Sequence, residues 1–543
     1  MGDINTTFSI IKNALLATQK SVSVVSHNIA NANTEGYTKQ RPVLENTGPV
    51  EMGGLSFGYG VDVITIERVY DSFLAIQVRD AISDSQYFGT KSDVIRGVEG
   101  ILNDIDGGGL SAAMDDFFNA VEDVATNPAS SPERVSLLSR AALLTDTFNS
   151  IDRRIRDNLK NIDKGIESAV DEINDLATRI RDINLKIRYS EAGGATPNDL
   201  FDKRDYLLDQ LAELVEIKTS VKETGELDIY LGGGVPIVVG DRVFDFSAEF
   251  EPTGDVKLMV GDTRVDSFIE SGRLKGLIDG RSVVKDGLER LNLLAAALTK
   301  EVNLQHRAGY GLDGSTGNDF FSLPPVTVDP VNVQGGAGFV GGSVTNLSAV
   351  TLDDYEIRFI DSSTYNVVNI TDNTIVVSGA TYTSGSPIVF DGISVTIMDI
   401  SGTPVSGDRF RVSITAEAAS NMSVSLTDGD KFAAASSSTT LPGDNTNALT
   451  IAGLRDQNLI EGTTFAEYHS STLAQIGIAA KGAETAYKAQ NVVTEQLRME
   501  RESVSGVSLE EEAMKLIQLQ RAFEAAARVM NVADEMFEIL VNL

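Results

Sequence analysis

Apolar residues at both ends of the chain recur at alternating steps of four and three residues, a spacing that places them in one stripe along a coiled-coil helix. At the beginning of the chain, the N-terminal stripe consists of Phe8, Ile11, Leu15, Val22, Val25 and Ile29. At the end, the C-terminal stripe consists of Leu516, Leu519, Phe523, Met530, Phe537 and Leu540, and Glu512 interrupts it. Helices at chain ends usually fray unless something covers their apolar side. We therefore predict that the two stripes form an assembly interface rather than an ordinary core.

The interior of the chain alternates between helical and strand-like patterns. Apolar residues recur at helical spacing in Pro132–Tyr189, Asp199–Val215, Gly272–Arg307 and Phe465–Glu502. Between residues 227 and 268, and again between about 324 and 451, short apolar runs are separated by Gly and Asp. In the longer of these stretches apolar and polar residues alternate, as in Tyr355, Ile357 and Phe359, which predicts half-buried β-strands.

This order of patterns predicts a multi-domain α+β protein. The N- and C-terminal helices pair as a coiled coil or helical bundle, and β-rich domains are inserted between the two halves of a helical body. The predicted terminal assembly segments are residues 1–40 and 505–543, and the helical body is 41–220 with 270–320 and 455–504. A small β insertion covers 221–269, and an outer β domain covers 321–454.

Charge and composition argue against several classes of partner. The chain has 78 acidic and 45 basic residues, a net charge of −33, and no basic stripe, so we expect neither nucleic acid nor a membrane as a partner. There is no cysteine, which excludes disulfides, thiolate metal sites and a cysteine nucleophile. No run of 18 apolar residues is present, and residues 1–7 lack the pattern of a cleaved secretory signal.

The sequence carries no pattern that points to catalysis. Its three histidines, His27, His306 and His469, lie in separate helical segments without metal-site spacing, and we expect them to be structural. Residues 309–314 match G-x-G-x-x-G, but a helix precedes them where a dinucleotide site needs a strand. Acidic pairs such as Asp115-Asp116 lack calcium-loop spacing. We therefore expect no catalytic, cofactor-binding or metal-binding residues, no cofactor, and no enzymatic activity.

Two long motifs carry a resemblance to a known family. Residues 13–40, including the run from Ser26 to Gln40, resemble the N-terminal signature of flagellar rod, hook and hook-associated proteins, and residues 519–536 resemble their C-terminal signature. Interior segments are similar to one branch, the hook-associated protein 1 (FlgK) family. These segments are Phe117-Phe118, Asn127-Pro128 with Arg134, 198–208, 272–277, 303–309 and, more variably, 407–410.

The resemblance implies a structural junction subunit between the flagellar hook and filament. It implies partners of four kinds: further copies of the chain in a ring, the hook protein, the next hook–filament junction protein, and a cytoplasmic export chaperone that holds the C-terminal helix. It also implies an extracellular location in the bacterial flagellum after type III export without a cleaved signal peptide.

Three other interpretations stay open at this point. A flagellar hook or rod protein would share the terminal signatures, although the long helical interior and the segment around His306 disfavour it. A surface adhesin with a helical stalk and a β head belongs to a different class and would usually carry a secretion signal and one continuous stalk. An enzyme embedded in the β insertion is the weakest of the three.

Overall fold

The computed structural model of the protein describes residues 2–48, 50–52, 55–103, 109–251 and 254–541. Its α-helices are α1 (Gly2–Asn31), α2 (Ser72–Leu102), α3 (Gly109–Thr126), α4 (Ser131–Ala192), α5 (Asn198–Leu214), α6 (Arg273–Ala308), α7 (Ala418–Asn421), α8 (Thr446–Gly453), α9 (Phe465–Ser505) and α10 (Leu509–Val541). Met1 and Leu543, the outer bounds of the predicted terminal segments, lie outside the described ranges.

The strands fall into three groups along the chain. The first group is β1 (Gln40–Asn46), β2 (Val50–Met52), β3 (Leu55–Phe57) and β4 (Val61–Arg68). The second is β5 (Lys218–Val221), β6 (Leu227–Tyr230), β7 (Pro236–Val239), β8 (Arg242–Val243), β9 (Phe246–Phe250), β10 (Val256–Val260) and β11 (Thr263–Arg264). The third is β12 (Thr327–Asn332), β13 (Ala337–Val344), β14 (Tyr355–Phe359), β15 (Thr364–Asn369), β16 (Thr374–Thr381), β17 (Pro387–Phe390), β18 (Ile393–Asp399) and β19 (Arg409–Ser413).

The two ends of the chain meet in one antiparallel helix pair. The rings of Phe8 and Phe537 touch near the free ends of α1 and α10, and Asn28 bonds to Glu512 at the other end of the pair. The helix predicted at the beginning of the chain ends at Asn31, and the positive φ of Gly36 (76°) turns the chain back toward β1. Helical pairing of the chain ends, predicted from the stripes, is confirmed.

A bundle of long helices forms the body of the molecule. Helix α4 has 62 residues and is therefore about 90 Å long. Helix α2 lies along α6 and α9, while α4 packs on α3, α5 and α6 around one continuous apolar core. Two glycines let α2 and α6 approach closely, because a Cβ at Gly276 would lie 2.6 Å from the Tyr87 carbonyl oxygen and one at Gly280 2.7 Å from a Val94 methyl group.

The small β insertion, strands β5–β11, packs against the C-terminal half of α4. Strands β5–β8 form a four-stranded sheet in sequential order, and β9–β11 form a three-stranded one. Asn184 of α4 donates a hydrogen bond to the Leu227 carbonyl oxygen (2.8 Å), and Asn174 donates one to the carbonyl oxygen of Phe246 (2.9 Å). These side-chain amides join the insertion to the helical body.

The outer β domain has a core of its own. One sheet has the order β12-β19-β14-β15-β16, and the second has the order β13-β18-β17, with antiparallel pairing throughout. Tyr355, Ile357 and Phe359 of β14 point into this core, which confirms the strand predicted from their alternation. Leu352, whose φ is 68°, packs against both this core and that of the helical body.

The predicted outer β domain is too long at its C-terminal end. Its last strand ends at Ser413, whereas residues 418–454 form short helices and loops whose apolar side chains, including Phe432 and Ile451, enter the core of the helical body. The physical reason is a long-range anchor. Arg134 of α4 donates hydrogen bonds to the carbonyl oxygens of Gly429 (3.1 Å) and Phe432 (2.8 Å).

The predicted helical body also begins too early in the chain. Where residues 40–68 are described, they contain the antiparallel pair β1–β4 instead of a helix, with β2 and β3 paired at its far end. This ribbon packs on α1, and Lys20 of α1 bonds to Asp62 (3.1 Å). Its alternating run Val61, Val63 and Thr65 is a strand pattern that the helical assignment overlooked. In the described part of the chain, no helix combines the length and apolarity needed to cross a membrane.

Candidate assembly interface

The N-terminal stripe lies between α10 and the β1–β4 ribbon within the single chain. Ile11 and Val25 are buried, and Phe8, Leu15, Val22 and Ile29 are half-buried. Helix α1 contacts α10, β1 and β4. Much of this stripe is therefore covered by the chain itself.

The C-terminal stripe faces α1, but less completely. Its members Leu516, Leu519 and Met530 are half-buried, while Phe523 and Phe537 remain exposed. The Phe537 ring meets Phe8 edge to face, with ring centroids 6.2 Å apart. The predicted contribution of Leu540 falls outside the residues whose side chains the structure describes. The structure thus brings the two predicted stripes together within one chain.

A second apolar stripe on α10 was missed by the sequence analysis. We call it the outer stripe, and its members are 51–63% exposed. They are Met514, Ile517, Val529, Val532, Met536 and Ile539. At about 100° of rotation per residue, they centre half a turn away from Leu516, Phe523 and Met530. Helix α10 therefore carries two opposite apolar faces, only one of which rests on α1.

The outer stripe had a signal in the sequence. Val529, Val532, Met536 and Ile539 follow steps of three, four and three, the same spacing that identified the C-terminal stripe. A helix with apolar residues on two sides is normally buried on both. A single heptad register on α10 includes only the C-terminal stripe and therefore leaves out the outer stripe.

Asn28 ties three elements together at the inner end of the helix pair. Its side chain is 1% exposed. Its Nδ2 donates to the Gln40 carbonyl oxygen (2.9 Å) and to Glu512 Oε2 (2.9 Å). Its Oδ1 accepts from the Gln40 backbone N–H (3.0 Å) and the Tyr37 hydroxyl (2.8 Å). Every hydrogen-bonding position of this buried amide is thus used.

The partner of Asn28 is the residue that interrupts the C-terminal stripe. The Glu512 side chain is 1% exposed and accepts from Lys515 at 2.8 Å, with Lys39 3.8 Å away. Burial of a carboxylate requires such partners, because an unpaired charge in an apolar environment is very costly. Glu512, which interrupts the apolar pattern, therefore makes a polar contact with Asn28, a residue 484 positions away in the chain.

A row of aspartates on one face of α5 connects the terminal helix pair to the body. The row is Asp199, Asp202, Asp205 and Asp209. Asp199 accepts a hydrogen bond from Gln40 (3.0 Å), and Asp202 accepts from Thr38 (2.6 Å) and Arg68 (2.8 Å). Asp205 accepts from Arg68 (2.8 Å) and Arg79 (3.0 Å), and Asp209 accepts from Arg79 (3.0 Å) and Arg501 (2.6 Å). Because these partners lie on a loop, on β1 and β4, and on α2 and α9, α5 fixes the direction in which the terminal helices leave the body.

The ion pairs in this joint are shielded from water. Burial disfavours the charge on Arg79, but Asp205 and Asp209 more than offset that effect and its pKa is raised. Burial raises the pKa of Asp202, although Thr38 and Arg68 act in the opposite direction. Arg79 therefore stays charged, and the joint depends on its carboxylate partners.

His306 is a buried structural residue near the end of α6. Its Nδ1 lies 2.8 Å from the Asn318 carbonyl oxygen, and its Nε2 accepts from the Ala433 backbone N–H at 3.0 Å. A carbonyl oxygen only accepts, so Nδ1 carries the proton and the ring is neutral. Burial lowers its pKa. The ring thereby joins residues 418–454 to α6.

The His306 environment predicts a loss of stability on acidification. Because the folded pKa lies below the unfolded value of about 6.5, the unfolded chain binds the extra proton, and stability falls as pH drops below about 6.5, by up to about 1.4 kcal/mol per pH unit. We expect urea unfolding midpoints to decrease between pH 7.5 and 5.5, with a smaller decrease for His306→Gln. Equal slopes for the two proteins would contradict this role. His469, whose pKa is also lowered by burial, accounts for part of the remaining slope.

The remaining motifs considered as possible binding sites make contacts within the fold. The G-x-G-x-x-G run leaves α6, and its backbone bonds to the 430–435 segment: the Tyr310 N–H donates to the Ala435 carbonyl oxygen (2.8 Å) and the Leu312 N–H to that of Asp430 (2.7 Å). Asp116 pairs with Arg140 on the surface. Across the described residues, no group of three or more His, Cys, Asp or Glu side chains could hold a metal ion.

Family comparisons match several parts of the chain. Residues 95–321 match the family described as the flagellar hook-associated protein FlgK helical domain, and residues 330–414 match the D2-like domain of flagellar hook-associated protein 1. Residues 11–38 match the flagella basal body rod protein family. Residues 501–543 match the C-terminal region of flagellar basal body rod FlgEFG proteins. The last two segments contain Asn28 and Glu512, respectively.

Whole-chain relatives agree with these matches. Flagellar hook-associated protein 1 of Salmonella typhimurium is 30% identical over 97% of this chain and 98% of its own length. The protein of the same name from Escherichia coli is 29% identical over 98% of this chain and 100% of its own length. Among solved structures, the flagellar hook junction protein FlgK of Burkholderia pseudomallei is similar in fold, with a TM-score of 0.66, 19% identity, and coverage of 79% of this chain and 100% of its own.

Proposed function

We propose, because this chain belongs to the family of flagellar hook-associated protein 1, that it is the subunit that joins hook to filament and that it assembles through its paired terminal helices. Membership makes it a structural component of the bacterial flagellum that serves motility. The proposal adds where the chain acts and which surfaces it uses.

The outer stripe is the observation that carries the assembly mechanism. From Met514 to Ile539 it extends about 38 Å along α10, with Arg521 between its two parts and every apolar member more than half exposed. Soluble monomers rarely leave an apolar surface of this extent open. Burying a side chain of this kind contributes about 1.5–3 kcal/mol, so even partial burial of six such residues supports stable contacts. Neighbouring copies that present the same helix pair supply the cover.

The proposed arrangement follows from the separation of the cores. The terminal helix pair lines the inside of the tube and the helical body forms the next layer. The outer β domain, which has its own core, points away from the axis. Besides further copies, the partners in this proposal are the hook protein below and the next junction protein above.

The same exposed stripe supports the chaperone part of the proposal. Before export, a helix with two apolar faces would associate with itself or aggregate. A cytoplasmic export chaperone that covers α10 would prevent this. Export through the flagellum without a cleaved signal belongs to the same proposal, and a chain without cysteines needs no disulfide chemistry at either end of the route.

Immunogold labelling of isolated hook–filament particles tests the location. We expect antibody to this chain to mark a narrow band at the hook–filament boundary, and no label on particles from cells that lack the chain. Label along the whole hook would instead identify a hook protein, which shares the matched terminal families. Label on the cell surface away from flagella would favour an adhesin.

A further inference from the structure

Helix α10 has two apolar faces, and only one of them can pack on α1. The C-terminal stripe consists of Leu, Phe and Met side chains, and the outer stripe consists of Met, Ile and Val side chains. Each face also carries charge, because Glu512 lies in line with the C-terminal stripe and Arg521 and Arg528 lie in line with the outer stripe. Apolar burial is not directional. The apolar side chains therefore do not by themselves determine which face turns inward. Arg521 and Arg528 disfavour burial of the outer stripe, but long arginine side chains can extend to water at the edge of a helix pair.

We propose that the Asn28–Glu512 contact selects the inward face of α10. Glu512 lies in line with the C-terminal stripe, and its carboxylate reaches Asn28 at 2.9 Å inside the helix pair. Turning α10 by half a turn would move this carboxylate to the opposite side. It would leave one N–H of the buried Asn28 amide without its acceptor and would bring the outer stripe against α1. A single buried polar contact that specifies one arrangement among similar apolar ones is a known device in coiled coils.

The surrounding contacts hold the selecting pair in place. Asn28 cannot turn away, because Tyr37 and both backbone groups of Gln40 bind it. Lys39 is fixed near Glu512 through its backbone N–H, which donates to the Ser505 carbonyl oxygen at 2.8 Å. The Asn28–Glu512 contact can therefore form in only one rotation of α10 about its axis. This inference deepens the proposed function, since it explains why the outer stripe is the face left for assembly.

Thiol labelling of the monomer tests the choice directly. The chain has no cysteine, so single cysteines report without background. Val532 is 55% exposed and the adjacent Ala533 is 7% exposed, and they lie on different sides of α10. With the native Glu512, we expect Val532→Cys to react with a maleimide at least about tenfold faster than Ala533→Cys, because a protected thiol reacts only when the structure opens.

The decisive variant is Glu512→Leu. An apolar residue is compatible with this buried site, so the variant is expected to fold, and helicity by circular dichroism checks this. We expect the ratio of labelling rates to fall toward one, or to reverse. Glu512→Gln keeps an acceptor for Asn28 and should retain the native ratio. Glu511→Leu, next to it but 57% exposed, is the matched control and should also retain it.

A native ratio in Glu512→Leu would overturn the inference, as would a lost ratio in Glu511→Leu. Rates are measured at several protein concentrations, because protection of Val532→Cys that grows with concentration reports association between copies instead of rotation. The experiment uses monomers in solution, so its result is independent of whether the chain joins the hook–filament boundary.

Discussion

A chain carrying Met514→Glu together with Val532→Glu is expected to fold normally and yet to be absent from the flagellum. The two residues are 18 positions apart, about five turns of helix, and therefore point in the same direction from α10. Both lie in the outer stripe and are more than half exposed. Cells whose only copy is this variant should shed or lack filaments and lose motility.

The effect on the monomer is small because the mutated side chains make few contacts. Surface substitutions away from special features usually change stability by less than about 0.5 kcal/mol. In an assembly the same positions are covered. Each contact then loses about 1 kcal/mol or more of apolar burial and gains a poorly solvated carboxylate, in total about 4 kcal/mol per neighbour, or about a thousandfold in affinity. Repetition of this loss in every copy prevents incorporation.

A matched control separates position from charge. Gln520→Glu together with Asn531→Glu adds the same two charges at exposed positions on the flank of α10, away from both apolar faces. We expect this control to support filaments and swimming. Filament attachment is scored by electron microscopy, and monomer folding is scored by thermal unfolding. Normal filaments on cells with the outer-stripe variant would remove the basis for assembly through this face.

Replacement of Arg134 by Ala is expected to destabilise the helical body by about 3–5 kcal/mol, the largest stability change predicted for a single side chain. Arg134 is 1% exposed. It donates to the carbonyl oxygen of Pro128 through Nε (3.0 Å) and Nη2 (2.7 Å), and to those of Gly429 and Phe432 through Nη1. Hydrogen bonds to a charged group contribute about 1.5–3 kcal/mol each without being additive, and their loss leaves buried carbonyl groups unpaired.

The same helix provides the control for Arg134. Arg140 of α4 pairs with Asp116, and both side chains are about half exposed, so Arg140→Ala should cost less than about 1 kcal/mol. Urea unfolding followed by circular dichroism gives the midpoints. Limited proteolysis should show early cleavage within 429–447 in Arg134→Ala only, because that segment loses its anchor. Similar midpoints for the two variants would show that the carbonyl contacts of Arg134 are unimportant for stability.

Arg134→Lys extends this test. Lysine keeps the charge but replaces a planar fork with a single ammonium group, which cannot reach carbonyl oxygens of the 128 and 429–432 backbone segments together. We expect an intermediate loss of stability. Burial lowers the pKa of Arg134, and a lysine there would lose its proton more readily than arginine.

Elements with a local pattern were predictable from the amino-acid residues alone. Helix α4, the strand that carries Tyr355, Ile357 and Phe359, and the two terminal stripes all follow from the spacing of apolar residues, because side chains repeat about every 3.6 residues in a helix and every two in a strand. The family signatures at the chain ends are short runs of residues and can likewise be recognised in the sequence.

Features that depend on contacts between distant parts of the chain became visible only in the folded structure. Residues 418–454 resemble the preceding β region in composition, and they join the helical core because Arg134 and His306 bind their backbone. Spacing revealed the stripe on α10 that contains Phe523, but not that a second face stays exposed. In the sequence, Glu512 is only a charged residue within an apolar pattern. Its partner Asn28 lies 484 residues away, and a contact across that separation is set by how the chain folds, not by any periodicity along it.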